Sequence, residues 1–464
     1  MTATAAPDRM SALEIRASLS LASLFALRML GLFLILPVFA VHAQHLKGGE
    51  NHALVGLALG AYGLTQGVLQ IPFGMASDRY GRKRVIVFGL ILFAVGSFIA
   101  AGADDMVSTI IGRAIQGAGA ISAAVMALAA DLTREQHRTK TMAMIGASIG
   151  LVFALSLMIA PALYRWVGME GIFGLTGVLA IAAIFATILL VPREPTENLD
   201  LSRRVQRATL GDVLRHKELL RLNFGIFALH SVQMAIFVVV PLALVSSGHL
   251  PLIEHWKVYL AVVGGSFLLM LPPILWSERK GRTKTVFVGM IALMLAVQAA
   301  ALIWLDGLTG ITLVLLAFFV AFNVLEAMLP SLVTRVAPAS ARGTAIGVYN
   351  TTQSLGLFAG GAVGGWLMQH YGPASVFVFG IALVALWLLI AAPMRVPERV
   401  ASRAFPLGDV ADPGALRERL VRLRGVREAV ILSEPSVAML TFYPESFDEQ
   451  AAVKLIGGEA QWRQ

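Results

Sequence analysis

Three uncharged, largely apolar runs, Val85–Ala101, Ile172–Val191 and Ile311–Phe322, leave this chain few options. With their neighbours they are long enough to cross the roughly 30 Å hydrocarbon core of a bilayer. That layer holds no water to satisfy backbone N–H and C=O groups, so the crossing segments must be helices. Composition agrees, since 57% of the 464 residues are apolar and only 14% charged, against roughly 25% charged in soluble globular proteins. The fold class is an all-α polytopic membrane protein.

The chain also repeats itself. Gly74-Met75-Ala76-Ser77-Asp78-Arg79-Tyr80-Gly81-Arg82-Lys83-Arg84 is a short basic turn between two apolar runs. Its core is echoed by Ser277-Glu278-Arg279-Lys280-Gly281-Arg282-Thr283-Lys284, with Gly81 and Gly281 in register. Thr133, Arg134 and Gly146 recur as Thr334, Arg335 and Gly347, each at an offset of 201. Such spacing in an apolar chain points to two homologous membrane halves, as in secondary transporters.

A net charge of +9 in a soluble chain would suggest nucleic acid. Here the cations cluster in alternate loops: Arg79 to Arg84, Arg134 to Lys140, Arg193 to Arg221, Arg279 to Lys284, and Arg335 with Arg342. The intervening loops hold scattered cations such as Lys47, Arg165 and Lys257. Lys/Arg bias marks the cytoplasmic side, so both termini are expected there, and no nucleic-acid partner is expected. There is no cysteine, which excludes disulfides, thiolate metal sites and thiol catalysis. The first apolar run shows no cleavage pattern and reads as a spanning helix.

Twelve spans are predicted, at about Ala17–Val41, His52–Ser77, Val85–Ala101, Met106–Leu132, Thr139–Val167, Gly171–Val191, Phe224–Val245, Glu254–Ser277, Thr285–Leu305, Leu308–Val333, Gly343–Gln369 and Pro373–Pro393. Residues 1–15 read as a lead, and Pro37 and Pro161 as kinks. The organisation is a first six-helix half over 1–191, a linker over 192–223, a second half over 224–395 and a tail over 400–464. The linker holds Leu210, Val213 and Leu214 at helical spacing beside cations, as an amphipathic helix at a membrane surface would. In the tail, a strand near Ala404–Val410, a helix over Asp412–Arg424, paired strands at Ala429–Leu432 and Val437–Tyr443 and a helix over Glu445–Ile456 suggest a small α+β domain of ferredoxin-like order. Its closing strand is not evident in Gly457–Gln464.

Polar residues inside the spans carry the functional information. Gly56, Gly60, Gly63 and Gly67 recur every three or four residues in the second span, which lets helices approach closely. Gln66 and Gln70, one turn apart, fit a polar cavity or interhelical hydrogen bonds. Arg28 in the first span either faces a cavity or snorkels, and Arg113 in the fourth, with Gln116 beside it, demands a partner or pathway. Asp131 closes that span. His230 and Gln233 in the seventh, and the belt of Tyr349, Asn350 and Gln353 in the eleventh, fit either a cavity or core packing. Glu326 lies alone in the apolar tenth span. Burial disfavours a bare carboxylate, so such a group either cycles protons or serves as a buried hydrogen-bonding residue. His42, His45 and His52 match no structural zinc spacing and read as solvated loop residues, so no metal is expected.

Gly74, Asp78, Arg79, Gly81, Arg82 and Lys83 resemble the signature of the major facilitator superfamily between its second and third helices. Arg113, Gln116, Gly117 and Gly119 resemble the fourth-helix motif of its proton-driven members. With Arg28, the Gln66–Pro72 approach, the Asp131–Lys140 run and the tail, the chain resembles the YajR-type exporters. The resemblance implies two six-helix bundles around a cavity that opens alternately to each side. It places Asp78 near the start of the eleventh helix, where the helix dipole favours a carboxylate by roughly 0.3–1 kcal/mol. It pairs Arg82 with Asp131 in a latch closing the cytoplasmic gate. One departure is Ala160 before Pro161, where related antiporters carry glycine.

On this reading the protein exports small amphipathic compounds against protons, with no cofactor and the proton gradient as energy source. Glu326 is the proton carrier, with Asp78 and Arg113 in supporting roles. Arg28, Gln66, Gln70, Gln116, His230, Gln233, Tyr349, Asn350 and Gln353 line the substrate path. The expected partners are the bilayer, a small-molecule substrate and no second subunit, with the tail contacting its own chain or another copy. Uptake or uniport of a nutrient, and a membrane sensor reporting through the tail, are the competing readings. An enzyme is excluded by the lack of any nucleophile–base pairing or phosphate loop.

Overall fold

The computed structural model describes residues 10–192, 210–337, 342–394, 401–407, 412–432, 437–443 and 446–456. They divide into two compact units, residues 1–275 with 284–395, and residues 276–283 with 396–464.

Helix boundaries follow from local chemistry. α1 (Ala12–Phe33) starts at Ser11, whose Oγ accepts from Glu14 N at 3.2 Å while Glu14 Oε2 accepts from Ser11 N at 2.8 Å, a reciprocal capping box. The first span therefore begins ahead of Ala17, and Glu14, expected in a lead, is 4% exposed. α2 (Leu36–His42) completes that span after a break just before Pro37, which has no N–H to bond back one turn. α3 (His52–Tyr80) and α4 (Arg82–Ala101) meet at Gly81, with φ at 98°. Gly281 also has positive φ, at 62°, so both halves use glycine's freedom at the same turn.

α5 (Met106–Ala118) and α6 (Ser122–Asp131) form the fourth span, interrupted at Gly119–Ile121. α7 (Glu135–Leu189) holds the fifth and sixth, which turn at Gly168 with φ 67° and ψ −174°, a conformation essentially reserved for glycine. α8 (Leu210–Arg215) lies in the linker, of which residues 193–209 lie outside the described residues. Its Val213 is buried and Leu214 is 46% exposed. α9 (Lys217–Ser246) starts seven residues ahead of Phe224. Then come α10 (His255–Leu269) and α11 (Leu271–Arg279), a pair where one helix was expected, α12 (Thr283–Trp304), α13 (Leu308–Val336), α14 (Arg342–Tyr371) and α15 (Pro373–Ala391). Among the described residues ten segments are long and apolar enough to cross a membrane. One of them turns at Gly168 and counts twice, and the 30-residue, glycine-rich α14 completes the twelve.

In the first half α1 and α4 pack on α7, and α3 and α4 on α5; in the second, α9 packs on α14 and α15, and α10 on α13. The halves meet along α3 and α14. A Cβ on Gly56 would come within 2.1 Å of Gly361 O, on Gly60 within 2.8 Å of Phe358 O, and on Gly63 within 2.5 Å of Ser354 O. His52 N donates to Gln369 Oε1 at 2.7 Å, closing the far end of this antiparallel seam. At Gly67 the approach has relaxed to 3.3 Å, and a Cβ on Gly146, Gly150, Gly343 or Gly347 would meet open space among the described residues. The seam is thus shut at the end of α3 that bears Gly56 and opens towards the basic-turn end. α2 against α9 seals the same far end.

The second unit carries β1 (Ala401–Pro406), α16 (Pro413–Val421), β2 (Val426–Leu432), β3 (Val437–Phe442) and α17 (Glu449–Ile456). Its antiparallel sheet has the order β1-β3-β2, with Ala401 opposite Phe442 and Leu432 opposite Val437. Phe405, Leu416, Leu420, Ala429, Leu440 and Ile456 form its core. This is ferredoxin-like order through the second helix. β1 begins at Ala401, ahead of the expected Ala404; residues 408–410 of that expected strand, and residues 457–464, lie outside the described residues.

Candidate functional site

The Gly81 turn folds Arg82 back onto α3. Arg82 forms an ion pair with Asp78, its Nη1 donates to Ser77 Oγ at 2.7 Å, and its Nε donates to Asp131 Oδ2 at 3.2 Å. The guanidinium is mostly out of water, where charge-assisted bonds strengthen. These partners all lie in the first half, so the Arg82–Asp131 pair ties α4 to α6 and exists while the seam is open at this end. The Arg82–Asp131 pairing is the one the resemblance implies. Lys83 Nζ donates to Val191 O at 2.5 Å and Arg16 Nε to Leu190 O at 3.1 Å, covering carbonyls beyond the end of α7 as cations commonly do. Arg79 lies over the Tyr80 ring, 5.4 Å from its centroid.

Three residues past Asp131, Arg134 gives Glu14 three bonds, from N and Nε at 3.0 Å each and from Nη2 at 2.8 Å. The carboxylate holds the Arg134 guanidinium above its ordinary range. Sequence reasoning missed this pair, although Ser-x-x-Glu at 11–14 was a legible capping signal.

Arg28 and Arg113 converge on one ring, which the sequence did not single out. Their guanidinium carbons lie 5.7 and 5.0 Å from the centroid of Tyr62, within cation–π range. Arg28 Nη1 donates to Ser122 Oγ at 2.7 Å. Arg113 Nη1 donates to Gln116 Oε1 at 2.8 Å, and Gln116 Nε2 to Ser97 Oγ at 2.7 Å. Arg113 and Gln116 are 1% and 0% exposed, inside the first half between α3, α4 and α5. Gln66 and Gln70 are buried on the Tyr62 stripe of α3, and both polar atoms of Gln70 lack a hydrogen-bond partner. Gln116→Leu strands Arg113 Nη1, while Ser97 Oγ keeps its bonds to Phe93 O and from Thr176 Oγ1. An unsatisfied buried group costs on the order of 1–3 kcal/mol, so this variant is expected to melt several degrees below wild type in detergent, read by thermal unfolding.

The second half gathers His230, Glu326 and Gln353, from α9, α13 and α14. Gln353 Nε2 lies 2.8 Å from His230 Nε2 and donates to Glu326 Oε1 at 3.4 Å. Glu326 Oε2 sits 3.8 Å from His230 Nε2, buried and without a hydrogen bond. Tyr349, whose buried hydroxyl also lacks a hydrogen-bond partner, and Asn350 precede Gln353 on α14, and Gln233 is buried on α9. Phe322, one turn before Glu326, meets the His230 ring edge-on at 5.7 Å. Across the halves, Phe153 of α7 contacts Phe322 at 6.1 Å and Phe319 at 5.9 Å, and within its own half Phe33 of α1 at 4.9 Å. This aromatic wall lies one turn beyond Gly150 of α7, where a Cβ would meet open space. None of the described contacts of Arg113 reaches the Glu326 group. Among the described residues no cluster has the makeup of a metal site, and His42 Nδ1 instead lies 3.0 Å from Tyr164 Oη.

A model of the Major Facilitator Superfamily matches residues 21–361, and again 255–443. The inner membrane transport protein YajR of Escherichia coli (strain K12) is 43% identical over 427 residues, covering 91% of this chain and 92% of that protein. The quinolone resistance protein NorA of Staphylococcus aureus (strain MRSA252) is 24% identical over 379 residues, covering 78% and 92%. Among solved structures, a D-xylose-proton symporter aligns with a TM-score of 0.66 at 16% identity, covering 82% of this chain and 98% of that one.

Proposed function

As the chain belongs to the Major Facilitator Superfamily, a family of secondary transporters rather than enzymes, we propose that it is a proton-coupled antiporter exporting small amphipathic compounds by alternating access. The observation that carries this is Glu326, a carboxyl in a membrane span with one oxygen buried and unbonded and a histidine and a glutamine as its polar neighbours. A carboxyl so placed is costly unless it is used, and taking up a proton removes the charge. The quinolone-resistance relative supports an exported amphiphile, and the aromatic wall beside Glu326 supplies an apolar surface for one.

In this proposal the bundles over 1–191 and 224–395 rock about the α3/α14 seam, joined by the linker over 192–223. The basic turns lie on the cytoplasmic side of a bacterial inner membrane, with both termini there, so the seam is open inward. Asp78, Arg82 and Asp131 stiffen the inner end of the first half. The remaining candidates line or support the path, a monomer suffices, and the tail over 400–464 is regulatory. No cofactor is involved, and the proton gradient is the energy source.

The test is proton flux in proteoliposomes carrying a pH-sensitive dye, on addition of cationic and neutral amphiphiles. Proton movement opposite to substrate is expected. Substrate flux without proton movement would replace antiport by uniport.

A further inference from the structure

Gln353 has one amide –NH2 and two acceptors within its reach. His230 Nδ1 faces Ile226 O at 3.3 Å, which places the ring proton there and leaves Nε2 with a bare lone pair. The Gln353 amide can then give one hydrogen to Nε2 at 2.8 Å and the other to Glu326 Oε1 at 3.4 Å. The reversed amide would set its oxygen against two acceptors, so the hydrogen-bond network assigns the orientation.

Resting on the reading of Glu326 as proton carrier, we propose that Gln353 is the positioning residue that turns protonation of Glu326 into movement of α14. A proton from solvent arriving on Oε2 makes that oxygen a donor. His230 Nε2, 3.8 Å away, is an acceptor within its reach. One lone pair accepts one strong donor at a time, so the acid displaces Gln353 from His230 and the amide must leave. Loss of the proton restores the original pairing.

α14 is built to pass the change on. Gly356 and Gly360 seat it against Phe227 and Ser231 of α9, where a Cβ would come within 2.5 and 2.0 Å of their carbonyl oxygens. Gly361 and Gly365 seat it against α3 on another face. The carbonyl of Ser354, next to Gln353, lies against Gly63 on the seam between the halves. A helix gripped by backbone on two faces moves as a body, since packed interfaces switch between discrete arrangements.

Other titratable groups near the trio are few. On the helices packed against α13 and α14 they are Tyr349 of α14 and Tyr259 of α10, both buried. The charged groups and remaining histidines of these helices lie towards their ends: Arg215 of α8, Lys217, Glu218 and Arg221 of α9, His255 and Lys257 of α10, Arg335 of α13, Arg342 and His370 of α14, and His52, Asp78 and Arg79 of α3.

The chain has no cysteine, so nitroxide labels can be placed cleanly at Met75→Cys on α3 and Gly343→Cys on α14. Their separation in the full-length protein, measured by pulsed electron resonance at about pH 5 and about pH 8, reports opening at the basic-turn end. In the otherwise unaltered chain the distance populations should shift with pH, and Glu326→Gln should abolish the shift. Gln353→Met, which keeps volume but removes the amide, should reduce it by roughly fivefold or more. His230→Leu, which removes the contested acceptor, should do the same and serves if Gln353→Met folds poorly. A pH response lost in Glu326→Gln but intact in both other variants would overturn the role of Gln353 and leave the carrier standing. A response intact in Glu326→Gln would overturn the carrier itself.

Discussion

Glu326→Gln is expected to abolish uphill transport while leaving substrate exchange at equal concentrations in place. Glutamine has nearly the same shape and can still meet the Gln353 amide at Oε1 and lie beside His230. It cannot gain or lose a proton. A positioned proton-transferring group is worth roughly 10²–10⁴-fold in rate, so proton-linked accumulation in vesicles should drop by about two orders of magnitude or more. Exchange needs only substrate binding and movement of the halves, so it should change by a few-fold at most. The paired assay separates a lost carrier from a damaged fold, because misfolding would remove both activities. Retained accumulation in the variant would move the carrier elsewhere.

Gly56→Val should trap the opposite conformation. A Cβ at Gly56 would lie 2.1 Å from Gly361 O and 2.7 Å from Gly365 Cα, and backbone cannot yield as a flexible side chain can. Overpacking of this kind costs typically about 1–3 kcal/mol, but only while the far end of the seam is shut. The cost therefore falls on one conformer, and a difference of that size shifts the population by roughly 5–150-fold. With cysteines at the exposed Asn51 and Tyr371, crosslinking across the far end should drop sharply while the protein remains monodisperse. Gly74→Ala makes the contrasting control, since its Cβ would meet Ala123 within the same half at an ordinary 3.4 Å. Unchanged crosslinking in Gly56→Val would mean that the seam does not part at this point.

Both variants draw on sequence and structure in different measure. The glycines of α3 were visible as a three- and four-residue rhythm, and with them the expectation of a close helix contact. Which helix they meet was not visible. α14 has glycines for two faces, and only the packed chain shows Gly361 and Gly365 turned to α3 while Gly356 and Gly360 turn to α9. Arg28 and Arg113 stood out as costly charges, but Tyr62, which joins them, looked like any aromatic in a span. Glu14 looked like part of a lead, because its partner Arg134 is 120 residues away.

The spans, the two halves, the turns at Gly81 and Gly281 and the order of the tail domain were determined by the sequence alone. Those features are set by short-range physics: apolar length against bilayer thickness, backbone bonds that must close within a helix, and φ values that favour glycine. The grouping of Glu326 with His230 and Gln353, the meeting of Arg28 and Arg113 over the Tyr62 ring, and the end at which the seam is open were decided by the tertiary structure. Each depends on how far a helix is rotated about its own axis and how it crosses its neighbours, and that is settled only when all the helix faces pack against one another at once.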